Sequence, residues 1–458
     1  MAKISKDEQR QIWRKLDLHL LPFVSILYLL SFLDRSNIGN ARVAGMASDL
    51  DLHGLRYNIA AALFFIPYCF AEVPSNILLK LVRPSIWIPT TMVAWGTVMT
   101  LMCLVNTYRG LVISRIFLGL TEAGLFPGVT YYVSLWYPRR LQARRFAIFT
   151  SAATLAGAFG GILAFGIEHL EGKADLHGWQ WIFLIEGLAT IAVASVSYFL
   201  MSDAPDNAKF LSEHERNFVL ATLSADSGNQ VTHFDLKFVY QALADYKAWL
   251  QVLMFIGVLP PVYAVALFTP SIISSLGYSA ARAQLLSIPP FVCGCFYTIT
   301  AGVLSDHFHL RGPFIVLNSC VAMVGYILAY TTSAPGPGYA AAVFAAMGVY
   351  ANIAITLAWA GGNAGGEVKR GTVIAMVIGM GNLGGICSSF VYNDPPRYHH
   401  GHGTMIGSLC LSVVCACVLM WRYRTLNRKK NEVCLREGIT EDMEFEFRHM
   451  SDSSPLFR

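Results

Sequence analysis

Twelve apolar runs follow one another along this chain, at about 20–40, 57–79, 86–105, 110–136, 145–167, 179–201, 248–275, 281–305, 313–332, 338–360, 371–393 and 403–423. Each is close to the roughly 20 residues that cross a bilayer as a helix. Nothing else in the sequence constrains the fold as strongly, because a segment in hydrocarbon has to satisfy its own backbone N–H and C=O groups. Composition agrees: charged residues make up 14% of the chain, where a soluble domain carries about 25%. The expectation is an all-α membrane protein with twelve transmembrane helices. No basic segment, short apolar stretch and small-residue cleavage site opens the sequence, so the first run is expected to be an uncleaved anchor and not a signal peptide.

Lys and Arg set the orientation. With the N-terminus placed inside, 26 of the 34 basic residues fall on inside segments and 6 on outside loops, with Arg35 and Arg115 left in the membrane. Both termini are therefore expected in the cytoplasm. The longest internal polar stretch, 202–247, divides the chain into an N-terminal segment (1–19), a six-helix half (20–201), a central loop, a second six-helix half (248–423) and a tail (424–458). Ser212 and Glu215 have the spacing of a capping box, which predicts a surface helix in the central loop. The halves echo each other. Asn76 to Pro84 after segment two parallels Gly302 to Gly312 after segment eight, and Gly157-x-x-Gly160-Gly161 parallels Gly381-x-x-Gly384-Gly385 at nearly the same offset. Two pseudo-symmetric halves with a substrate site between them are how many transporters are built.

Ionisable groups inside the apolar runs point to the chemistry. Asp34 and Arg35 end the first run, and Arg115 and Glu122 lie within the fourth. Each costs roughly 2.5–3.5 kcal/mol in a bilayer, so such groups face protein or water, pair with each other and mark ion or substrate paths. Asp34 and Arg35 point about 100° apart on a helix, and Arg115 and Glu122 share a face two turns apart. Two carboxylates and two guanidiniums buried together can bind an anion and carry protons.

Several motifs carry a resemblance. Gly302-x-Leu304-Ser305-Asp306-x-x-x-x-Arg311-Gly312 resembles the conserved loop of the major facilitator superfamily, although its N-terminal counterpart has Lys80 where an acid is usual. The stretches Leu33-Asp34-Arg35-Ser36-Asn37-Ile38-Gly39-Asn40-Ala41, Glu72-Val73-Pro74-Ser75-Asn76, Arg115 to Gly128 and Gly178 to Gly187 look like those of the anion:cation symporters, and within them the fungal allantoate and nicotinate permease-type group. The resemblance runs from about Trp13 to Arg424. It implies that Asp34 and Glu122 are proton-coupling sites, and that Arg35 and Arg115 hold or gate the substrate anion. It also implies a cavity tyrosine near Tyr68.

Tyr68 lies four residues before Glu72 on one face and can donate to an anion. Glu72 is a possible substrate contact, or else bonds backbone freed near Pro67 and Pro74. In the second half intramembrane charge is nearly absent, which leaves Asn382 and Asn363 as polar candidates for substrate binding. Glu186 is expected to be an interfacial structural acid. Pro260-Pro261 and Pro289-Pro290 are expected to break their helices and serve as hinges. His399-His400-Gly401-His402 reads as an ordinary polar loop and not a metal site. The cysteines read as small buried hydrophobes. The basic run from Arg422 to Lys430 reads as a juxtamembrane anchor, with a disordered tail beyond Arg424.

These features lead to a plasma-membrane secondary transporter with no metal, no cofactor and no nucleic-acid partner. It would import a small organic anion with protons, the resemblance suggesting a vitamin-like monocarboxylate such as nicotinate or an allantoate-like ureido acid. The alternative is an exporter of an acidic metabolite using the same charges, and a nutrient sensor without turnover is more remote. An enzyme is not expected, because no nucleophile–base or metal-ligand set appears.

Overall fold

The computed structural model describes residues 5–168, 170–227, 236–332, 334–365, 367–392 and 397–437. All twelve apolar runs are helical. In chain order the α-helices are α1 (Lys6–Ala41), α2 (Arg56–Val82), α3 (Pro84–Leu101), α4 (Tyr108–Glu122), α5 (Leu125–Trp136), α6 (Arg139–Glu168), α7 (Gly178–Leu200), α8 (Glu213–Ser227), α9 (Leu236–Ala244), α10 (Tyr246–Ser275), α11 (Ala280–Leu286), α12 (Ile288–His307), α13 (Gly312–Thr331), α14 (Pro335–Gly362), α15 (Glu367–Asn382), α16 (Gly384–Val391) and α17 (His399–Glu437). Three spans are each made of two helices: α4 with α5, α11 with α12, and α15 with α16. The second of these breaks falls where Pro289 and Pro290 open α12.

The other proline pair behaves differently from the sequence expectation. α10 runs unbroken through Pro260, Pro261 and Pro270. Neighbouring helices pack closely enough to hold its course: a Cβ at Gly384 would lie 2.7 Å from the Pro260 ring. The tail also differs. α17 continues to Glu437, well past Arg424, and the remainder lies outside the described residues. His399 and His400 open this helix and His402 is buried in its first turn, so they form no loop, while Pro395 and Pro396 lie outside the described residues.

Each half has its own packing. α1 lies against α6, α3 against α7 and α2 against α4; in the second half α13 lies against α14, α12 against α14 and α10 against α17. The central connector supplies α8, started by the expected capping box. The Ser212 N–H donates to Glu215 (2.8 Å) and the Glu215 N–H donates to Ser212 Oγ (3.3 Å). Glu215 also accepts from Lys15 Nζ at 2.7 Å, tying the connector to α1. Slight burial pushes the Glu215 carboxyl up, but Lys15 and Ser212 outweigh it and hold the group below its usual range. The same face of the bundle carries two further ties. Arg145 forks onto Asp17 at 2.7 and 2.9 Å, and Lys369 donates to Asp245 at 2.9 Å.

The halves meet on the side away from the connector. There α1 touches α10, α6 touches α11 and α12, and α2 touches α16. A Cβ at Gly39 would lie 2.5 Å from the Leu267 carbonyl oxygen, and one at Gly161 would lie 2.7 Å from that of Gln284. Only glycine allows those backbones to approach. Tyr57, Phe268 and Tyr392 form a line of rings across this seam, at 6.1 and 4.8 Å, and Asn58 donates to the Ser389 carbonyl. Toward the connector, α1 and α6 instead wall a cavity of about 440 Å³ lined by Asp17, Leu21, Ser25, Arg145, Ser151 and Leu155, among others. Gly39→Val is expected to insert normally but to destabilise the closed far face by about 1–3 kcal/mol, the usual cost of overpacking. Initial uptake rates, alongside membrane abundance, check this; unchanged uptake would mean that the Gly39–Leu267 approach is not needed in the cycle.

Candidate functional site

α1 carries one continuous stripe, Asp17, Leu21, Ser25, Tyr28, Phe32 and Arg35, spaced three or four residues apart and therefore on one face. The stripe leads from the connector-side cavity to the middle of the bundle, where Arg35 is 7% exposed. Its Nη2 donates to Glu122 Oε1 at 2.6 Å, and its Nη1 donates to the Tyr263 hydroxyl at 3.1 Å. Tyr263 in turn donates to Asn382 Oδ1 at 2.7 Å. Ser31 Oγ also donates to Glu122 Oε1, at 2.6 Å. One guanidinium thus joins a carboxylate of its own half to a hydroxyl of the other half. Four rings surround it, with centroids 4.8 Å (Tyr68), 5.1 Å (Phe64), 5.6 Å (Phe32) and 6.0 Å (Tyr263) from its central carbon.

Asp34, one residue earlier, makes its hydrogen bonds outside this cluster. It accepts from Trp95 Nε1 at 3.0 Å and Thr190 Oγ1 at 3.1 Å, within its own half. Arg115 is 1% exposed, and its Nε and Nη2 lack hydrogen-bond partners. Arg115 and Glu122 share a face of α4, but seven residues of helix set them about 10 Å apart along it, and no hydrogen bond joins them. Glu122 pairs with Arg35 across α1 instead. Glu72 is 3% exposed, faces the Asn382 side chain and keeps Oε2 unpartnered.

The family profile described as Major Facilitator Superfamily matches residues 24–389. The chain belongs to the major facilitator superfamily. It is 34% identical over 433 residues, 94% of this chain and 86% of the relative, to an uncharacterized transporter of Schizosaccharomyces pombe. It is 30% identical over 454 residues, 98% of this chain and 84% of the relative, to the high-affinity nicotinic acid transporter of Saccharomyces cerevisiae. The crystal structure of a D-xylose-proton symporter superposes with a TM-score of 0.67 at 15% identity, covering 88% of this chain and 97% of that one. The protein is a multi-pass membrane transporter of this superfamily and not an enzyme.

Within the superfamily frame, the remaining sequence candidates separate into two groups. Tyr68 and Asn382 lie at the central cluster. Asn363 does not: it ends α14 and donates to the Trp359 carbonyl at 2.8 Å, capping its own helix. Polarity alone could not tell a helix cap from a cavity residue. In the conserved-loop motif, Arg311 pairs with Asp306 and donates to Ser305 Oγ, while Gly302 is buried in α12. The motif staples the turn between α12 and α13 and lies away from the site. Glu186 is not interfacial; it is 2% exposed and accepts from Asn37. Tyr263 was missed, its one sequence signal being a polar tip in an otherwise apolar run after Pro261. Tyr263→Phe would leave Asn382 and one Arg35 nitrogen without their partner, at about 1–3 kcal/mol. The expected outcome is a raised KM for uptake with normal membrane abundance; an unchanged KM would remove Tyr263 from the site.

Proposed function

We propose that this protein is a proton-coupled carrier that imports a small organic monoanion by alternating access. The observation that carries this reading is the sharing of Arg35 between Glu122 of one half and Tyr263 of the other. A substrate carboxylate fits the planar fork of arginine, and by taking it would displace Glu122. The freed carboxylate, buried and without its cation, then takes up a proton, because an isolated buried charge is far costlier than a neutral acid. Binding of the anion and binding of the proton thereby favour each other. The loaded centre holds Arg35, one substrate charge and a neutral Glu122, so it crosses with its charge balanced.

Closure of the halves around Gly39 and Tyr57, with the cavity between α1 and α6 on the connector side, fits one end state of the cycle. The excess of basic residues on the connector-side segments supports placing that face and both termini in the cytoplasm. The plasma membrane is proposed from the resemblance to nutrient permeases. The ring of Phe32, Phe64, Tyr68 and Tyr263 supports a substrate with a flat face, and the nicotinic acid transporter among the relatives accords with a monocarboxylate of that shape.

The test is uptake of labelled nicotinate, benzoate and allantoate in cells expressing the chain, at acidic and neutral pH, with and without a protonophore. Uptake of one compound that is faster at acidic pH and stopped by the protonophore supports the reading. Uptake insensitive to both, or reduced retention of a preloaded acid, would contradict it; the latter would mark an exporter.

A further inference from the structure

Three buried carboxyls stand in a row along α1. Ser31 holds Glu122, Asp34 is the second, and Asn37 holds Glu186. Positions 31, 34 and 37 rise by about 4.5 Å per step, so the acids are stacked toward the far face. All three are at most 2% exposed. Each has one oxygen hydrogen-bonded and the other unpartnered: Glu122 Oε2, Asp34 Oδ1 and Glu186 Oε1, with Asn37 Oδ1 also unpartnered beside the last. Buried polar atoms are nearly always satisfied. A row of unpartnered carboxyl oxygens is what carboxylic acids and intervening waters that pass a proton along would leave.

Charge counting leads to the same place. Among the described residues, the buried interior away from the connector face holds Arg35 and Arg115 against Asp34, Glu72, Glu122 and Glu186. Two guanidiniums cannot balance four carboxylates, and an unpaired buried ion is costly, so part of the set is neutral, as acids.

Among the described residues, the elements packed around Glu186 offer it no cation. Asp34 acts on it from α1. α3 sets Thr100 against Gly187, and α6 sets Ala164 near Ile182, neither titratable. The one-turn π-helix Arg42–Met46 also packs on α7, but its Arg42 lies over the Tyr57 ring, 4.2 Å from the centroid. Two turns toward the far face, Trp179 donates to Asp49 at 2.7 Å. His177 lies 3.2 Å from Glu171 and 3.6 Å from Asp49, all three partly exposed.

We propose that Glu186 is a proton-binding site, the outer member of a relay Glu186–Asp34–Glu122 that brings protons from the far face to Glu122 by a route separate from the substrate cavity. The Asp49, Glu171 and His177 group forms its mouth. The proposal rests on Glu122 being the proton-coupling acid. No bond other than O–H is made or broken: a proton enters at the Glu186 carboxylate and leaves to Asp34, which passes it to Glu122.

Infrared spectroscopy of the purified Arg35→Ala protein, and of further variants made in that background, tests this without any substrate, because Glu122 deprived of its cation is then a neutral acid. Protonated carboxyls give C=O stretching bands that shift in D₂O. Glu186→Gln, which keeps the Asn37 contact, is expected to remove one such band and to slow H/D exchange of the Glu122 band on the order of 10²-fold, the scale of a positioned proton carrier. The Glu122 band is assigned by its loss in Glu122→Gln. Glu186→Asp is expected to restore exchange in part, which a purely packing role would not do. An unchanged set of bands in Glu186→Gln, or unaltered exchange at Glu122, would overturn the relay. A silent uptake panel with the relay bands intact would instead strike the transport reading alone.

Discussion

Glu122→Gln is expected to abolish proton-driven accumulation while leaving counterflow exchange of labelled for unlabelled substrate. Glutamine keeps the shape of the side chain and its bond to Ser31 but neither takes nor releases a proton. Arg35 loses its ionic partner in the empty carrier, so the anion finds the guanidinium free and binds without a linked protonation. Net uptake should then only equilibrate the substrate across the membrane, and its rate should lose its rise toward acidic pH. Parallel measurement of uptake and exchange, normalised to protein in the membrane, checks this. Accumulation above equilibrium in this variant would remove Glu122 from coupling.

The second large effect is expected at Arg35. Truncating one partner of a buried, hydrogen-bonded charge pair costs about 2–5 kcal/mol, which in binding is on the order of 30- to several-thousand-fold. Arg35→Ala should therefore raise KM beyond the measurable range. Arg35→Lys should not rescue it, because an ammonium cannot reach Glu122 and Tyr263 at once with the planar geometry that a guanidinium supplies. The empty carrier should tolerate both changes, since Glu122 can be neutralised by a proton. A double variant, Arg35→Ala with Glu122→Gln, removes both charges of the pair together, so neither is left without the other, and should fold while still failing to bind. Transport by either single variant with a near-normal KM would place the anion elsewhere, with Arg115 the next position to examine.

The sequence carried the architecture well because the constraint behind it is local. A run of about 20 apolar residues has to be a helix in lipid whatever surrounds it, and the twelve runs are the spans that form. Proline was less legible. At Pro289 it opens a helix, which its missing N–H favours, while at Pro260 the helix continues, since neighbours in a packed bundle hold it. Which residues form the site was legible through cost: a charge in an apolar run demands a reason, and Asp34, Arg35, Arg115 and Glu122 are all buried.

How those residues pair was not legible. The 100° between Asp34 and Arg35 correctly sends them to different neighbours, but only the packing of α1 on α3, α4 and α7 decides that Glu122 goes to Arg35 while Trp95 and Thr190 go to Asp34. Glu186 was misplaced for a related reason. An acid near the start of an apolar run reads as interfacial, whereas the helix carries Glu186 eight residues inward to Asn37. Tyr263 and Asn382 belong to the second half, and no pattern in one sequence links them to Arg35.

The most direct measurement uses the purified protein in liposomes, with labelled nicotinate outside and the outer pH made acidic relative to the lumen. Proton-coupled import predicts that nicotinate concentrates inside beyond its outer concentration, that a protonophore collapses the gradient of label, and that the lumen acidifies in step with uptake. Liposomes in which nicotinate only equilibrates, at the same rate with and without the pH difference, would contradict proton-coupled import.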